Sequence, residues 1–175
     1  MKRKLFTSLA AAGLLACTIT TAAAAPICTQ PFCFGQQLCC EEQTSSAQSQ
    51  ISAMTALEQE ACRLVNEQRA AHGLPALKLD AALGASARIK SRDMKTNRYF
   101  SHTSPTYGSP FQMMKQFGIT YRSAGENIAM GYRTAEAVVQ AWMASATHRA
   151  NILSRNYTTI GIGYADGYWT QWLIR

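Results

Sequence analysis

Residues 158–174 read TTIGIGYADGYWTQWLI, two runs of β-branched and aromatic residues parted by Asp166 and Gly167. An Asp-Gly pair supplies the two positive φ angles of a type I′ turn, whose twist suits paired strands. The spacing therefore predicts an antiparallel hairpin of 158–165 and 168–174.

Upstream of this hairpin the apolar period is helical. Leu57, Ala61, Leu64 and Val65 recur at steps of three and four, while Glu58, Glu60, Arg63, Glu67 and Arg69 take the other positions, and Gly73 and Pro75 close the pattern. Asp80 is placed to cap a second helix carrying Leu83, Ala87, Ile89 and Met94 toward Tyr99-Phe100-Ser101-His102. Ser109 and Pro110 open a short third helix that ends at Gly118, and Thr134 caps a fourth with Val138, Val139, Ala141 and Trp142. Helices first and a hairpin last predict an α+β domain with helices packed on a sheet.

The chain begins with Lys2, Arg3 and Lys4, an apolar run over 5–16, and small residues ending at Ala23-Ala24-Ala25. That is the three-part pattern of a secretory signal, and the run is too short to span a bilayer. Cleavage near Ala25 is expected, which makes the protein exported: extracellular, periplasmic or held at the cell envelope. Leu14-Leu15-Ala16-Cys17 also resembles a lipobox, and acylation of Cys17 would anchor the protein to a membrane instead. Without residues 1–25 the chain keeps 14 basic against 10 acidic residues, a mild positive charge that suits anionic wall polymers and simple solubility equally.

Segment 26–55 is expected to be a Cys-rich stretch followed by a Ser/Gln-rich linker, EEQTSSAQSQISAM over 41–54, with a single domain in 56–175. Cys28, Cys33, Cys39, Cys40 and Cys62 make an odd set for an exported chain, so disulfides are expected with one thiol either free or paired with another molecule, and the pairing stays open. A zinc knuckle would need paired short spacings and nearby histidines, which these cysteines lack.

Four strings stand in order: Phe100-Ser101-His102, Gly125-Glu126-Asn127-Ile128, Trp142-Met143-Ala144-Ser145, and His148-Arg149-Ala150-Asn151-Ile152-Leu153, followed by Gly161-Ile162-Gly163. With Leu64-Val65-Asn66, Arg69 and Pro75-Ala76-Leu77 before them, they resemble the CAP superfamily (cysteine-rich secretory, antigen 5 and pathogenesis-related; SCP-like) in its compact bacterial form. The resemblance runs from about Leu57 to Arg175. It implies an α-β-α sandwich, an antiparallel sheet flanked by helices, with a cleft lined by His102, Glu126 and His148. Many eukaryotic members carry a glutamate three residues after the tryptophan, where this chain has Ser145.

Two imidazoles and a carboxylate are the residue types that hold a divalent ion such as zinc with an open position, and zinc-bound water becomes a nucleophile near neutral pH. His102, Glu126 and His148 lie far apart in sequence, so their convergence rests on the resemblance. Each also has a structural reading: His148 bonded to Ser145 or Thr147 at a helix start, Glu126 accepting backbone hydrogens in its loop, and His102 bonded near Ser101 and Thr103. His72 reads as a last-turn histidine favoured by the helix dipole. Trp142, Trp169 and Trp172 read as packing aromatics, and Asn127 and Asn151 as ties between loops and helix starts. Ser101 beside His102 lacks an orienting acid and is not a serine-protease arrangement.

The expected function is a non-catalytic binding module whose cleft takes a small lipid or a cell-wall-derived ligand, with or without a metal. The alternative is a metal-assisted hydrolase of peptide or peptidoglycan bonds, and a third reading is an inert scaffold. No phosphate loop or nucleic-acid reader is present in the sequence, so no nucleic-acid partner is expected. The oligomeric state is left open.

Overall fold

A computed structural model describes residues 54–175. The signal sequence, the Cys17 lipobox and Cys28, Cys33, Cys39 and Cys40 lie outside the described residues. In chain order the elements are α1 (Ala56–Ala71), β1 (Lys78–Leu79), α2 (Ala81–Thr96), α3 (Pro110–Gln116), β2 (Ala124–Met130), α4 (Ala135–Ala144), α5 (Ala146–Ile152), β3 (Thr159–Ala165) and β4 (Tyr168–Ile174). None of the described helices is long and apolar enough to cross a membrane.

The hairpin forms as the sequence predicts. β3 pairs antiparallel with β4, and the turn residues Asp166 and Gly167 have φ of 48° and 88°. Asp80, Ser109 and Thr134 each accept a backbone hydrogen at the start of α2, α3 and α4, and Pro110 stands at the first helical position of α3. α1 begins on Thr55, which shares a reciprocal capping box with Glu58. Met54, read from sequence as the end of the linker, is buried in the core.

The sheet order is β1-β3-β4-β2. β2 lies antiparallel on β4, and the two-residue β1 runs parallel to β3, so the sheet is mixed where the resemblance implied an antiparallel one. The pleat splits the core into two layers. On one face Ile160, Ile162, Trp169 and Leu173 pack with Val65 of α1, Val139 and Trp142 of α4 and Ile152 of α5. On the other, Trp172 packs with Leu83 and Ala87 of α2 and Met113 and Met114 of α3. This is the α-β-α sandwich.

Gly161 and Gly163 let α2 lie close on β3, since a Cβ at either position would strike the α2 backbone at Leu83-Gly84 or Ala87-Arg88. A Gly163→Ala variant is expected to lose at least about 1–3 kcal/mol by overpacking, because backbone rather than a flexible side chain must yield. A urea titration with an unchanged slope and a lower midpoint would show this; an unchanged midpoint would refute it.

Two residues assigned by periodicity to the solvent side of α1 are fully buried. Glu58 accepts from Arg88 of α2 and from the Tyr164 N–H at 2.9 Å. Arg69 donates to the carbonyls of Pro75 (3.0 Å), Ile152 (2.7 Å) and Ser154 (2.8 Å). Periodicity places charges outward, but a charge fully met by hydrogen bonds can be buried. Cys62, the cysteine that lies among the described residues, carries a free thiol. It is buried, and desolvation together with the nearby Glu58 charge pushes it up to about 12, leaving it a protonated, unreactive packing group.

Candidate functional site

The Gly125-Glu126-Asn127-Ile128 string is not a loop, as the structural reading of Glu126 assumed, but the middle of β2. Only Ile128 in AGENIAM is β-branched, so propensity gives little sign of a strand, and pairing with β4 decides the matter. The strand sends alternate side chains to opposite faces. Glu126 lies beside Trp172 on the α2 side, and Asn127 lies beside Gln171 on the α4 and α5 side.

Glu126 is spent on both oxygens. Its Oε1 lies 2.6 Å from His102 Nδ1, and its Oε2 accepts from Trp172 Nε1 at 2.7 Å. Its side chain is 2% exposed, whereas that of His102 is 55% exposed. A buried carboxylate thus holds an accessible imidazole by its Nδ1, leaving Nε2 as the nitrogen turned to a ligand.

His148 comes from the opposite layer. Asn127 Nδ2 donates to the His148 carbonyl at 3.1 Å, Asn151 Nδ2 donates to the Glu126 carbonyl at 3.3 Å and to Asn127 Oδ1 at 2.8 Å, and Arg69 fixes the end of α5. The asparagines are ties, but between the middle of β2 and α5, with Asn151 near the end of that helix, not between loops and helix starts as the sequence suggested. Ser145 and Thr147 hydroxyls bond each other at 3.1 Å, and neither bonds the His148 ring. Burial and the neighbouring His102 hold the His148 imidazole below its ordinary value, so it is largely neutral at pH 7.

Along β2 next to His148 runs a groove of about 280 Å³, lined by Phe100, Ile128, Met130, Tyr132 and Trp142 and by Ser145 from between α4 and α5. Phe100 and Met130 are exposed apolar side chains. A hollow of similar volume between α1 and α4, lined by Leu64, Gln68, Val139 and Met143, gathers no imidazole. The chemistry favours the groove. Trp142, Trp169 and Trp172 are all buried packing groups, and Trp172 in addition orients Glu126. His72 ends α1 with Nδ1 2.8 Å from the Gln68 carbonyl oxygen, far in sequence and role from the cleft.

Sequence reasoning missed the support beneath His102. Lys90 is fully buried and donates to the His102 carbonyl (2.9 Å) and the Tyr99 hydroxyl (3.1 Å). Asp93 accepts from Tyr99, from Ser104 Oγ (2.6 Å), Thr106 Oγ1 (2.8 Å) and Asn97 Nδ2 (2.7 Å). A signal existed: Leu83, Ala87, Lys90 and Met94 follow at steps of four, three and four, so Lys90 sits in the apolar stripe of α2.

Burial works to raise the Asp93 carboxyl, but the hydrogen bonds from Ser104, Tyr99, Thr106 and Asn97 outweigh it and hold it below the ordinary range. A carboxyl depressed in the folded state stabilises above its unfolded value and loses that contribution as pH falls through the folded value. Amide exchange in residues 99–108, taken relative to the intrinsic rate at each pH, is therefore expected to speed up on acidification below the ordinary carboxylate range. In Asp93→Asn it should be fast throughout and lack this pH step; an unaltered profile in that variant would refute the assignment.

The residues fit a metal only in part. Among the described residues no three His, Cys, Asp or Glu side chains are grouped to hold an ion. Glu126 is committed to His102 and Trp172, so the cleft offers two imidazoles where catalytic zinc sites use three protein ligands.

The model of the cysteine-rich secretory protein family, CAP, matches residues 62–172. YkwD of Bacillus subtilis (strain 168) is 52% identical over 135 residues, covering 76% of this chain and 52% of YkwD. The membrane protein YlbC of the same organism is 38% identical over 121 residues, covering 69% of this chain and 35% of YlbC. The chain thus spans about half or less of the length of these relatives. Among solved structures, an extracellular SCP-domain protein of Bacillus anthracis str. Ames superposes with a TM-score of 0.66 at 38% identity, covering 67% of this chain and 40% of that one. An outer surface protein of Borrelia burgdorferi shares the fold, with a TM-score of 0.59 at 21% identity over 65% of this chain and 88% of its own.

Proposed function

We propose that this chain, which belongs to the cysteine-rich secretory protein (CAP) family, is an exported binding module of the cell envelope whose ligand site is the groove along β2 beside His102 and His148. Export is supported by the N-terminal signal pattern and by the extracellular and outer-surface relatives. One observation carries the binding reading: an apolar groove of about 280 Å³ opens beside His148, whose neighbouring imidazole, His102, is fixed by a buried carboxylate. Such a site pairs apolar walls with a few placed polar groups, as ligand sites do. The ligand class is a small lipid or a wall-derived fragment, the former through Phe100, Met130 and Trp142 and the latter through His102, His148 and Ser145.

The test is a melting-temperature panel of fatty acids, lysolipids and muropeptides against purified protein. A ligand at 100 times its Kd stabilises by about 2.7 kcal/mol. A shift that disappears in the His102→Ala, His148→Ala double variant supports the reading, and no shift across the panel refutes it.

The Glu126 to His102 contact favours a second reading, a hydrolase of peptide or peptidoglycan bonds. A carboxylate on Nδ1 is how an imidazole is oriented either as a general base or as a metal ligand. A divalent ion such as zinc would be held by the two imidazoles, where it would polarise water or a carbonyl. Release of product from wall material by the parent, abolished by the double variant, would support this reading over the first. Equal release by both proteins would end it.

A further inference from the structure

The end of the sheet away from the hairpin turn is closed by main-chain bonds. The Lys78 N–H donates to Thr158 O (2.8 Å), the Thr158 N–H to Ile174 O (2.9 Å) and the Arg175 N–H to Ser123 O (3.0 Å). Ser123 Oγ donates in turn to Asn156 O at 2.7 Å, and the buried Arg69 guanidinium holds the Ser154 carbonyl (2.8 Å) beside that of Pro75 (3.0 Å). These bonds bring Lys78, Arg122, Arg155 and Arg175 to one end of the domain, all four exposed. Neighbouring strands lie about 4.8 Å apart, so the backbones span roughly 15 Å from β1 to β2.

None of these four side chains has a hydrogen bond or an ion pair among the described residues. Elsewhere Arg63, Arg88 and Lys95 are ion-paired, and Arg69, Lys90 and Arg149 donate to carbonyls. Burial, and then the like charge of Arg155, hold the Arg69 guanidinium below its ordinary value, so a fifth positive charge lies beneath the four.

The described carboxylate side chains are engaged away from this end, with one exception. Glu58, Glu60 and Glu67 pair with Arg88 and Arg63, Asp93 and Glu126 are bonded around the cleft, Glu136 opens α4, and Asp166 sits in the hairpin turn beside Lys95. The exception, Asp80, caps α2 through the Leu83 N–H. The main-chain oxygen of Arg175 is taken by the Arg122 and Ser123 N–H groups. Uncompensated like charges repel one another, and an anion laid over them relieves that repulsion.

We propose that this basic end binds a linear phosphodiester polymer, laid across the strand ends and the loop between α5 and β3. Each phosphodiester offers two free oxygens, which a guanidinium fork takes bidentately, and three of the four cations are arginines. A row of cations across strand ends suits a chain of anions. The surface is separate from the groove along β2 and holds whether or not the groove takes a ligand.

The probe is a synthetic glycerol phosphate decamer titrated against the full mature protein. Four contacts should give a plot of log K against log salt with a slope of about −3, the scale of flexible phosphodiester chains. An Arg122→Ser, Arg155→Ser double variant should bind about tenfold or more weakly, with a slope near about −1.5. An Arg92→Ser, Arg133→Ser variant makes the same charge change in the later part of α2 and near Asp166, and should weaken binding less than about twofold, since those sites lie beyond a Debye length.

Equal loss in the two double variants overturns the proposal, because net charge alone then attracts the polymer. Polyglutamate of equal charge bound as tightly as the decamer also overturns it, and so does binding to phosphatidylglycerol vesicles without binding to the decamer. If the first variant does not fold, phenylglyoxal modification of the parent makes the same test. The decamer should shield Arg122 and Arg155 and leave Arg92 reactive, and unshielded Arg122 and Arg155 overturn the proposal. A decamer that binds while the lipid and muropeptide panel gives no shift refutes the groove reading and supports this one, whereas a groove ligand without decamer binding does the reverse.

Discussion

An Arg88→Met variant is expected to lose about 3–5 kcal/mol, the cost of stranding a buried charge, which lowers the melting temperature of a domain this size by roughly 10–25 °C. Glu58 is fully buried, and its carboxylate is met by the Arg88 guanidinium, by the Thr55 N–H at 2.7 Å and by the Tyr164 N–H at 2.9 Å. These bonds tie α1, α2 and β3 together at one point. Burial acts to raise the Glu58 carboxyl, yet Arg88 and the two backbone donors hold it below its ordinary value.

The sign of the pH dependence follows. A depressed folded value means that the pair stabilises above the unfolded value and loses that contribution as pH falls through the folded one. The deficit of Arg88→Met should therefore be largest near neutrality and shrink on acidification, since a protonated Glu58 no longer needs the guanidinium. Replacing both residues by Met should recover part of the loss, as apolar substitutes for buried pairs often do. Recovery stays incomplete because the Thr55 and Tyr164 N–H groups lose their acceptor. Urea midpoints of the three proteins between neutral pH and the carboxylate range measure the ordering, and a single variant as stable as the double one would refute it.

What the sequence disclosed depended on whether local chemistry or long-range pairing decided the element. Asp166-Gly167, Asp80, Ser109-Pro110 and Thr134 carry their turn or cap in their own side chains, and each feature appears where expected. β1 and β2 carry no such mark: one is two residues long, and the other is mostly small or polar residues recruited by β4. The site followed the same rule. His102, Glu126 and His148 were named through motif order, but only the sheet shows that Glu126 grips His102 and that His148 arrives from the opposite layer. The roles of Lys90, Asp93 and Trp172 escaped notice because they lie in partners distant in sequence: the apolar stripe of α2 marks Lys90 as buried, but not what it holds, and Trp172 reads only as a packing aromatic until Glu126 is beside it.

The Glu126→Gln variant is expected to abolish whatever His102 does while leaving the fold largely intact. Trp172 Nε1 is a donor only, so the amide oxygen of the glutamine must face it. The amide nitrogen then faces His102 Nδ1. A donor against that nitrogen forces it to accept, and the ring proton moves to Nε2. The imidazole is thereby inverted: with Glu126 its outward Nε2 accepts a proton or a metal, and with glutamine it presents N–H instead. An inverted tautomer can neither act as a base nor ligate an ion, the loss of roughly 10⁴-fold seen when an orienting carboxylate becomes an amide in a serine-protease triad giving the upper scale.

Long-range nitrogen-proton spectra of the imidazole report the tautomer directly. Proton on Nε2 in the variant and on Nδ1 in the parent is the expected pair. Binding or turnover through His102 should fall in Glu126→Gln as far as in His102→Ala. A Glu126→Leu variant, which leaves both Trp172 Nε1 and His102 Nδ1 without an acceptor, should in addition lose about 1–3 kcal/mol of stability. If Glu126→Gln keeps the parent tautomer and the parent activity, the carboxylate is a packing group and the cleft works through His148 alone.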